Sequence, residues 1–210
     1  NKPRLKQPNH YKQLKMQRQN GWPTLIVIQR MGNHPTESVL TFNFSNINTA
    51  SNQFRTFLRE TPHKVVMIAE HHQGSHKLQQ LKKSLLKEGW SFEGTIAHPT
   101  GRSETGTHGG VGICIRSYLQ HQHLNTSHHI KPHTPWMPKG TGDNWTAATV
   151  RLKGIDLCFI TLYLDDGIGL VGPNMARLKE LVQFLSQLHI PFIIGADWNM
   201  LPNEIQSSKL

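Results

Sequence analysis

The spacing of hydrophobic positions in the first half of the chain alternates between two periods. Residues 24–28, 38–44 and 64–70 are apolar runs or near alternations of apolar and polar residues, which are typical of strands. Residues 50–60 and 76–90 carry apolar side chains three and four positions apart, which predicts amphipathic helices. The first half therefore predicts strands that alternate with helices.

The second half predicts an antiparallel section followed by one more helix and strand. Short apolar runs bounded by turn residues indicate four strands, and Lys153-Gly154 signals a hairpin between the last two. The clearest helical period follows, and Pro173 opens it. Its predicted apolar face consists of Met175, Leu178, Val182, Leu185 and Leu188. The predicted strands are residues 94–98, 109–117, 144–152, 156–164 and 191–199, and the helix is residues 172–189.

Strands this apolar must be covered on both faces, which indicates a layered fold. The pattern predicts an α/β (α+β) protein in which β-sheets pack together and are flanked by helices. Because the chain stops at Leu210, soon after the last predicted strand, we expect the sandwich to be incomplete at its C-terminus.

Composition leaves the predicted fold class unchanged and bears on the core, on membrane spans and on the state of the cysteines. Hydrophobic residues make up 36% of the 210 residues, which is enough for a buried core. No apolar run approaches the roughly 20 residues that cross a bilayer, so a membrane span is not expected. Cys114 and Cys158 lie in apolar strands, which favours buried free thiols and an intracellular reducing compartment, with the nucleus as one candidate.

The net charge of +10 makes polyanions plausible partners. Much of the excess lies in residues 1–22, which we separate as a basic arm from a domain spanning 23–210. A solvated arm and an arm that orders on phosphate both explain it. The second reading makes nucleic acid a partner, with DNA favoured over RNA. The basic residues of the arm are Lys2, Arg4, Lys6, Lys12, Lys15 and Arg18.

Polar residues follow or end several of the apolar strands, where a rigid scaffold presents reactive groups. They are Asn43, Glu70, Tyr163, Asp197 and Asn199. A carboxylate directly after a buried strand is held firmly and suits magnesium, which binds through one or two carboxylates and substrate phosphate. Glu70 is therefore the candidate metal ligand, although a strand that simply exits into solvent also explains it.

Asp197 and Asn199 are separated by Trp198. In an extended segment both polar side chains point the same way and the indole points to the opposite face. Asp197 would then accept a proton or orient a water, and Asn199 would donate to developing negative charge. An Asx turn is the alternative explanation of the same three residues.

Five segments in this order resemble the exonuclease, endonuclease and phosphatase superfamily. The resemblance implies the DNase I-like fold, a four-layer sandwich in which two packed mixed β-sheets lie between helices. The loop spellings are closest to endonuclease domains of non-LTR retrotransposons. LTFNFSN resembles the first motif, VVMIAEHH the strand that ends in the metal-binding Glu, and HGGVGICI the Gly-Gly strand. ITLYL resembles the Asn-x-Tyr strand and FIIGADWN the Gly-Asp-Phe/Trp-Asn motif.

The resemblance implies metal-dependent phosphodiester hydrolysis of the endonuclease type. Glu70 would ligate Mg²⁺ or Mn²⁺, and Asn43 would support the metal or phosphate. Tyr163 would contact the scissile phosphate, Asp197 would activate water, and Asn199 would stabilise the transition state.

The sequence also departs from the family. Ser45 stands where many members carry a second Asn or Asp, and Ala196 stands where Gly often precedes the Asp. The closing Ser-Asp-His motif, which supplies the catalytic His, has no counterpart. We therefore expect this chain alone to be nearly inactive and to expose unpaired strand edges.

The histidines raise a further hypothesis of metal binding. The His-rich stretch 121–133 could suggest zinc, but its spacing matches no closed Cys/His site, so a polar loop is expected there. His71 and His72 could be imagined in place of the missing catalytic His, but that group comes from a different edge of the family's site.

Two further functions remain open. The chain could be a non-catalytic basic structural subunit of a larger assembly, one that could contain nucleic acid, with protein partners covering the open sheet edges. It could also be a phosphatase acting on a soluble phosphoester, which would use the same site but have no affinity for nucleic acid.

Overall fold

The computed structural model describes residues 39–43, 52–99, 106–124 and 144–200, with the backbone alone at 39–43, 52 and 53. The predicted strand 24–28, the arm 1–22 and Ser45 lie outside these residues. The helices are α1 Asn52–Glu60, α2 Ser75–Lys87 and α3 Gly172–Ser186. The strands are β1 Val39–Asn43, β2 Val65–Ala69, β3 Trp90–Gly94, β4 His98–Pro99, β5 Thr107–His108, β6 Gly112–Arg116, β7 His121–Leu124, β8 Trp145–Leu152, β9 Ile155–Tyr163 and β10 Phe192–Asp197.

The strands form two mixed four-stranded sheets and a small two-stranded one. The first sheet has the order β1-β2-β6-β3, the second has the order β10-β9-β8-β7, and β4 pairs with β5. In each large sheet one pair is parallel, β1 with β2 and β10 with β9, and the other pairs are antiparallel. The parallel pairs place two strand ends side by side, and this positions the site described below.

Alternating side chains on β2 join the layers. Val65 and Met67 point into an apolar core between the sheets, where they meet Phe159 of β9. Val66 and Ile68 point to the other face and pack against α1 and α2. The outer face of the second sheet is covered in the same way by α3. The expected sandwich of two mixed sheets between helices is therefore confirmed.

Most of the predicted elements are confirmed to within a few residues. The hairpin between β8 and β9 turns at Lys153 and Gly154, whose φ angles of 50° and 81° are those of a tight hairpin turn. Helix α2 ends just before Gly89, which has a φ of 81°. Helix α3 begins with Pro173 in its first turn, where the missing N–H costs nothing.

One strand prediction and one loop prediction were wrong. Residues 95–97 are not a strand; the strand in this region is β3, which begins at Trp90, a residue assigned to the helix by its sequence pattern. Trp90 and Phe92 face the core while Ser91 and Glu93 do not, which is the alternation of a half-buried strand. The stretch from residue 121 is also not simply a loop, because residues 121–124 form β7 and pair with β8.

The buried face of α3 also differs from the predicted one. Val182 is 58% exposed, whereas Asn174 and Arg177 are buried. Two polar residues occupy the inward face because they bind the loop that follows β9. A prediction from the spacing of apolar residues cannot identify a buried face that contains polar residues.

The cysteines, the helices and the edge of the second sheet can each be compared with a prediction from the sequence. Cys114 and Cys158 are buried free thiols, as predicted. No helix within residues 52–99, 106–124 and 144–200 is long and apolar enough to cross a membrane. Among the described strands, β10 pairs on one side only, with β9, and its Phe192 is 46% exposed.

Candidate active site

The ends of the two parallel strand pairs meet at one edge of the sandwich. Asn43, the last residue of β1, is level with Ala69 of β2, so Glu70 follows at the same edge. Asp197, the last residue of β10, is level with Tyr163 of β9. Parallel strands bring their carboxyl ends together, and four of the predicted strand-end residues therefore lie at these ends.

Tyr163 joins the two pairs. Its hydroxyl donates a hydrogen bond to the Glu70 carboxylate, and the carboxylates of Asp165 and Asp197 are also close enough to interact with it. Burial and then the negative charge of Glu70 raise the pKa of Tyr163 well above its usual value of 10.0. The phenol therefore stays protonated at neutral pH and is available as a hydrogen-bond donor.

The loop that carries Glu70 is held by a buried histidine. His71 Nδ1 accepts the Gln73 backbone N–H at 3.0 Å, and His71 Nε2 donates to the Thr95 carbonyl at 2.9 Å. Burial lowers the pKa of His71 from 6.5 to about 4, so the ring is neutral at pH 7. His71 therefore works as a structural clamp beside Glu70, whose φ of 58° is in the left-handed region.

Two glycines form the other side of this clamp. Gly109 and Gly110 accept the backbone N–H groups of His72 and His71 at 3.2 and 3.0 Å. A Cβ on Gly110 would lie 2.6 Å from the His71 ring, and a Cβ on Gly109 would lie 3.0 Å from Asn144 Oδ1. The φ angles, 79° at Gly110 and 69° at Gly109, also favour glycine. The Gly-Gly pair is thus required by close packing at the site.

A buried polar network fixes the end of β9. Arg177 Nη1 lies 2.8 Å from Asp165 Oδ2 and donates to Asn174 Oδ1 at 3.0 Å. The Asn174 side chain accepts the Asp165 N–H at 2.8 Å and donates to the carbonyls of Asp165 and Gly169, each at 2.9 Å. Arg177 pairs with Asp165, and Glu70 and Asp197 also act on Tyr163 through their negative charge.

Sequence reasoning missed Asp165, Asn174, Arg177 and Asn144. The signal for the first was present, since an Asp-Asp pair follows the apolar run ITLYL. Asn174 and Arg177 are three positions apart on a helix, which is the spacing of a shared face. Asn144 is fully buried, and its side chain donates to Asp165 Oδ1 at 3.5 Å. Nothing in its sequence context distinguishes it from a turn residue.

Asp197 and Asn199 are related by a turn and not by extended backbone. The Asn199 backbone N–H donates to Asp197 Oδ1 at 3.2 Å, and the φ of Asn199 is 47°. This is the Asx turn that was the alternative explanation. Asn199 Nδ2 donates to the Leu164 carbonyl at 2.6 Å, so the turn anchors the end of β10 to the end of β9.

The remaining candidates lie elsewhere. The side chain of Asn43 and the whole of Lys2, Arg4, Lys6, Lys12, Lys15 and Arg18 are outside the described side chains. Within the described part, no three His, Cys, Asp or Glu side chains enclose a ready-made metal cage. His121 and His123 lie on β7, where His123 Nε2 is 2.8 Å from Ser91 Oγ.

The fold is that of the exonuclease, endonuclease and phosphatase structures. The 3′ phosphatase NExo from Neisseria, bound to a product DNA hairpin, is similar over 78% of this chain and 58% of its own, with 22% identity and a TM-score of 0.51. TDP2 from D. rerio, complexed with a single-strand DNA product, is similar over 81% and 64%, with 17% identity and a TM-score of 0.52.

A third solved structure is a family protein from Leptotrichia buccalis, similar over 81% of this chain and 71% of its own at 13% identity and a TM-score of 0.52. The chain thus spans about 58% of the Neisseria structures it matches. No protein-family model matches the sequence, and no curated protein matches it either. At these identities the likeness shows the DNase I-like fold.

Proposed function

We propose that this chain is a phosphodiester hydrolase domain that depends on a divalent metal and acts on nucleic acid in the manner of an endonuclease. The observation that carries the proposal is the convergence of Glu70, Tyr163 and Asp197, in which a protonated phenol lies among carboxylates that start from different strands. The DNase I-like fold supports it, as do the DNA products bound to two of the similar structures. The motif spellings favour a domain of retroelement type.

Mg²⁺ or Mn²⁺ fits the donors at this edge. Glu70 and Asp197 both bring carboxylate oxygens and negative charge to the surroundings of Tyr163. Oxygen donors and a site completed by water and phosphate are what these ions accept. Glu70 would hold the ion, with Asn43 on the neighbouring strand end as a second donor. When bound, the ion would stabilise negative charge on the phosphate.

The protein's own groups would divide the remaining work. Tyr163 would turn its hydroxyl from Glu70 to a phosphate oxygen, since its raised pKa keeps the proton in place. Asp197 would orient or deprotonate the attacking water. Asn199 has one amide hydrogen beyond the one given to Leu164, and that hydrogen would stabilise developing negative charge.

A second candidate is a non-catalytic basic subunit of a larger assembly. Exposed apolar side chains favour it, because Phe192 on β10 is 46%, Val171 just before α3 is 64% and Val182 on α3 is 58% exposed. Apolar side chains that remain exposed on an edge strand and its covering helix are typical of a surface bound by another protein segment. The basic arm would then attach the subunit to nucleic acid or to an acidic partner.

Nicking of supercoiled plasmid DNA in Mg²⁺ or Mn²⁺ separates the two functions. Glu70→Gln and Asp197→Asn should each lower the rate by about 10² or more, because both groups act in one site. Glu60→Gln, which changes an exposed acid on α1, is the matched control. Nicking that survives in both site variants would refute the proposed site. The wild-type rate itself should be low, because the Ser-Asp-His motif has no counterpart in this sequence. A wild-type chain that binds DNA and shows no metal-dependent nicking at all, even at high protein concentration, would favour the subunit.

The arm is tested apart from the site. Deletion of residues 1–22 should reduce the slope of log binding constant against log salt by about 0.9 for each phosphate that the arm neutralises. Double-stranded DNA and RNA of equal length should be compared in the same titration. An unchanged slope would remove the arm from the proposed nucleic-acid interface.

A further inference from the structure

His72 is held in place by hydrogen bonds from both its ring and its backbone. Its Nδ1 lies 2.6 Å from the Thr107 carbonyl, and its own carbonyl accepts the Thr107 hydroxyl at 2.8 Å. Its φ is 56°, in the left-handed region, which His tolerates better than most residues. One hydrogen bond from the ring and one to the backbone carbonyl therefore tie His72 to β5, and the first of them fixes the orientation of the ring.

The bond to a carbonyl fixes the tautomer. A carbonyl oxygen can only accept, so Nδ1 must carry the hydrogen. In the neutral ring the lone pair is then on Nε2, and Nε2 lies 4.0 Å from Glu70 Oε1. Histidines that bind metals are held in this way, with one nitrogen donating to a carbonyl or carboxylate and the other facing the ion.

The distance between His72 and Glu70 agrees with this arrangement. A separation of 4.0 Å is too long for a hydrogen bond. It suits two donors on either side of one cation, since bonds to His nitrogen and carboxylate oxygen are each about 2.0 to 2.2 Å in zinc sites. Both side chains are mostly buried, at 21% and 18% exposed, so their surroundings limit how far either donor can move.

We propose that His72 Nε2 is a ligand of the divalent cation held by Glu70, and that it gives the site a preference for Mn²⁺ over Mg²⁺. The proposal rests on the proposed function, because it uses the same Glu70. Mg²⁺ takes oxygen donors almost exclusively, whereas imidazole nitrogen is a good ligand for first-row transition ions. A nitrogen donor therefore improves Mn²⁺ binding and does little for Mg²⁺.

The competing explanation is an ion pair. A protonated His72 beside Glu70 would stabilise the loop without touching any metal, and replacing His72 would then leave metal preference unchanged. The two explanations therefore differ in a quantity that can be measured without substrate.

The experiment uses the full chain with Mn²⁺ or Mg²⁺ and no nucleic acid. Pulsed EPR of the Mn²⁺ complex should show coupling to an imidazole nitrogen, and calorimetry should give both affinities. His72→Asn, whose side chain also tolerates a positive φ, should lose that coupling and bind Mn²⁺ about 10- to 100-fold more weakly, with Mg²⁺ affinity little changed. His72→Gln is the second variant, in case the first does not fold. His76→Asn, at an exposed position on α2, should match the wild type in every respect.

The outcomes separate this inference from the function on which it rests. A wild-type Mn²⁺ complex without imidazole coupling overturns it, and so does coupling that persists in folded His72 variants. If Glu70→Gln loses both ions while His72→Asn keeps the wild-type preference, the metal site stands and His72 is only an ion-pair partner. If Glu70→Gln binds both ions normally, the metal site of the proposed function falls as well.

Discussion

The strands β2 and β10 have similar sequences and very different surroundings. VVMIA in β2 and FIIGA in β10 are both almost purely apolar, and each is followed by a carboxylate of the candidate site. All of β2 is buried between β1 and β6, whereas β10 pairs only with β9 among the described strands and is half-exposed along most of its length. The Glu70 end of the site is therefore more firmly supported than the Asp197 end.

Replacing one isoleucine in each strand should give the largest contrast. Ile68 of β2 is 1% exposed, and Ile194 of β10 is only partly buried. Ile68→Ala should lower the free energy of unfolding by about 3 to 4 kcal/mol because it leaves a cavity, and Ile194→Ala by about 1 kcal/mol. Urea unfolding measures both. Equal losses would mean that β10 is covered as fully as β2, and the comparison would fail.

The loop at the end of β2 can be disrupted directly at its glycine support. Gly110→Ala should cost about 2 to 4 kcal/mol, because a left-handed φ and a Cβ 2.6 Å from the His71 ring are both unfavourable. Gly154→Ala is the matched control, since its φ of 81° is similar but its Cβ would meet open space. It should cost about 1 kcal/mol. Similar thermal melting of the two variants would show that the His71 loop accommodates the added Cβ at little cost in stability.

The sequence predicted where β2 and β10 lie along the chain but not how differently the two strands are surrounded. Apolar runs located both strands, and the polar residues after them identified Glu70, Tyr163 and Asp197 as strand-end groups. Central or edge position depends on which strands pair, and that is set by distant residues such as Ile113 of β6. A run of five apolar residues carries no information about its neighbours.

The polar part of the site was less predictable for a related reason. Asn174 and Arg177 lie on the buried face of α3, where a periodicity argument expects apolar residues. They are tolerated there because each pairs with Asp165, nine or more positions away. Strand β7 was missed because its alternation of His and Gln has too little apolar character to be distinguished from a loop.

Acid should lower the free energy of unfolding in part through His71, at the β2 end of the site. The pKa of His71 is about 4 in the folded protein and 6.5 in the unfolded chain, because burial disfavours the charged ring. Between these values the unfolded state binds more protons, so stability is complete above pH 6.5 and declines as pH falls towards 4. The loss from this group should be on the order of 2 to 3 kcal/mol.

His71→Gln tests this by removing the titrating ring. Its free energy of unfolding should be lower than that of the wild type at pH 7, and the difference should shrink as pH falls from 6.5 to 4. His123, whose pKa burial also lowers to about 4, titrates in both proteins and cancels in the difference. His76→Gln, exposed on α2, should follow the wild-type curve. A difference that stays constant with pH would contradict a neutral buried His71.

The smallest stability change is expected at the end of β10. Asn199→Gly removes the hydrogen bond to the Leu164 carbonyl, worth about 1 kcal/mol, but relieves the strain of a φ of 47° by a similar amount. The free energy of unfolding should therefore change by less than about 1 kcal/mol. Asn199→Ala, which loses the bond and keeps the strain, should cost about 1 kcal/mol more than the glycine variant. If glycine proves as costly as alanine, the Asn199 side chain supports the edge strand more strongly than its hydrogen bonds indicate, and the Asp197 end would be as firmly built as the Glu70 end.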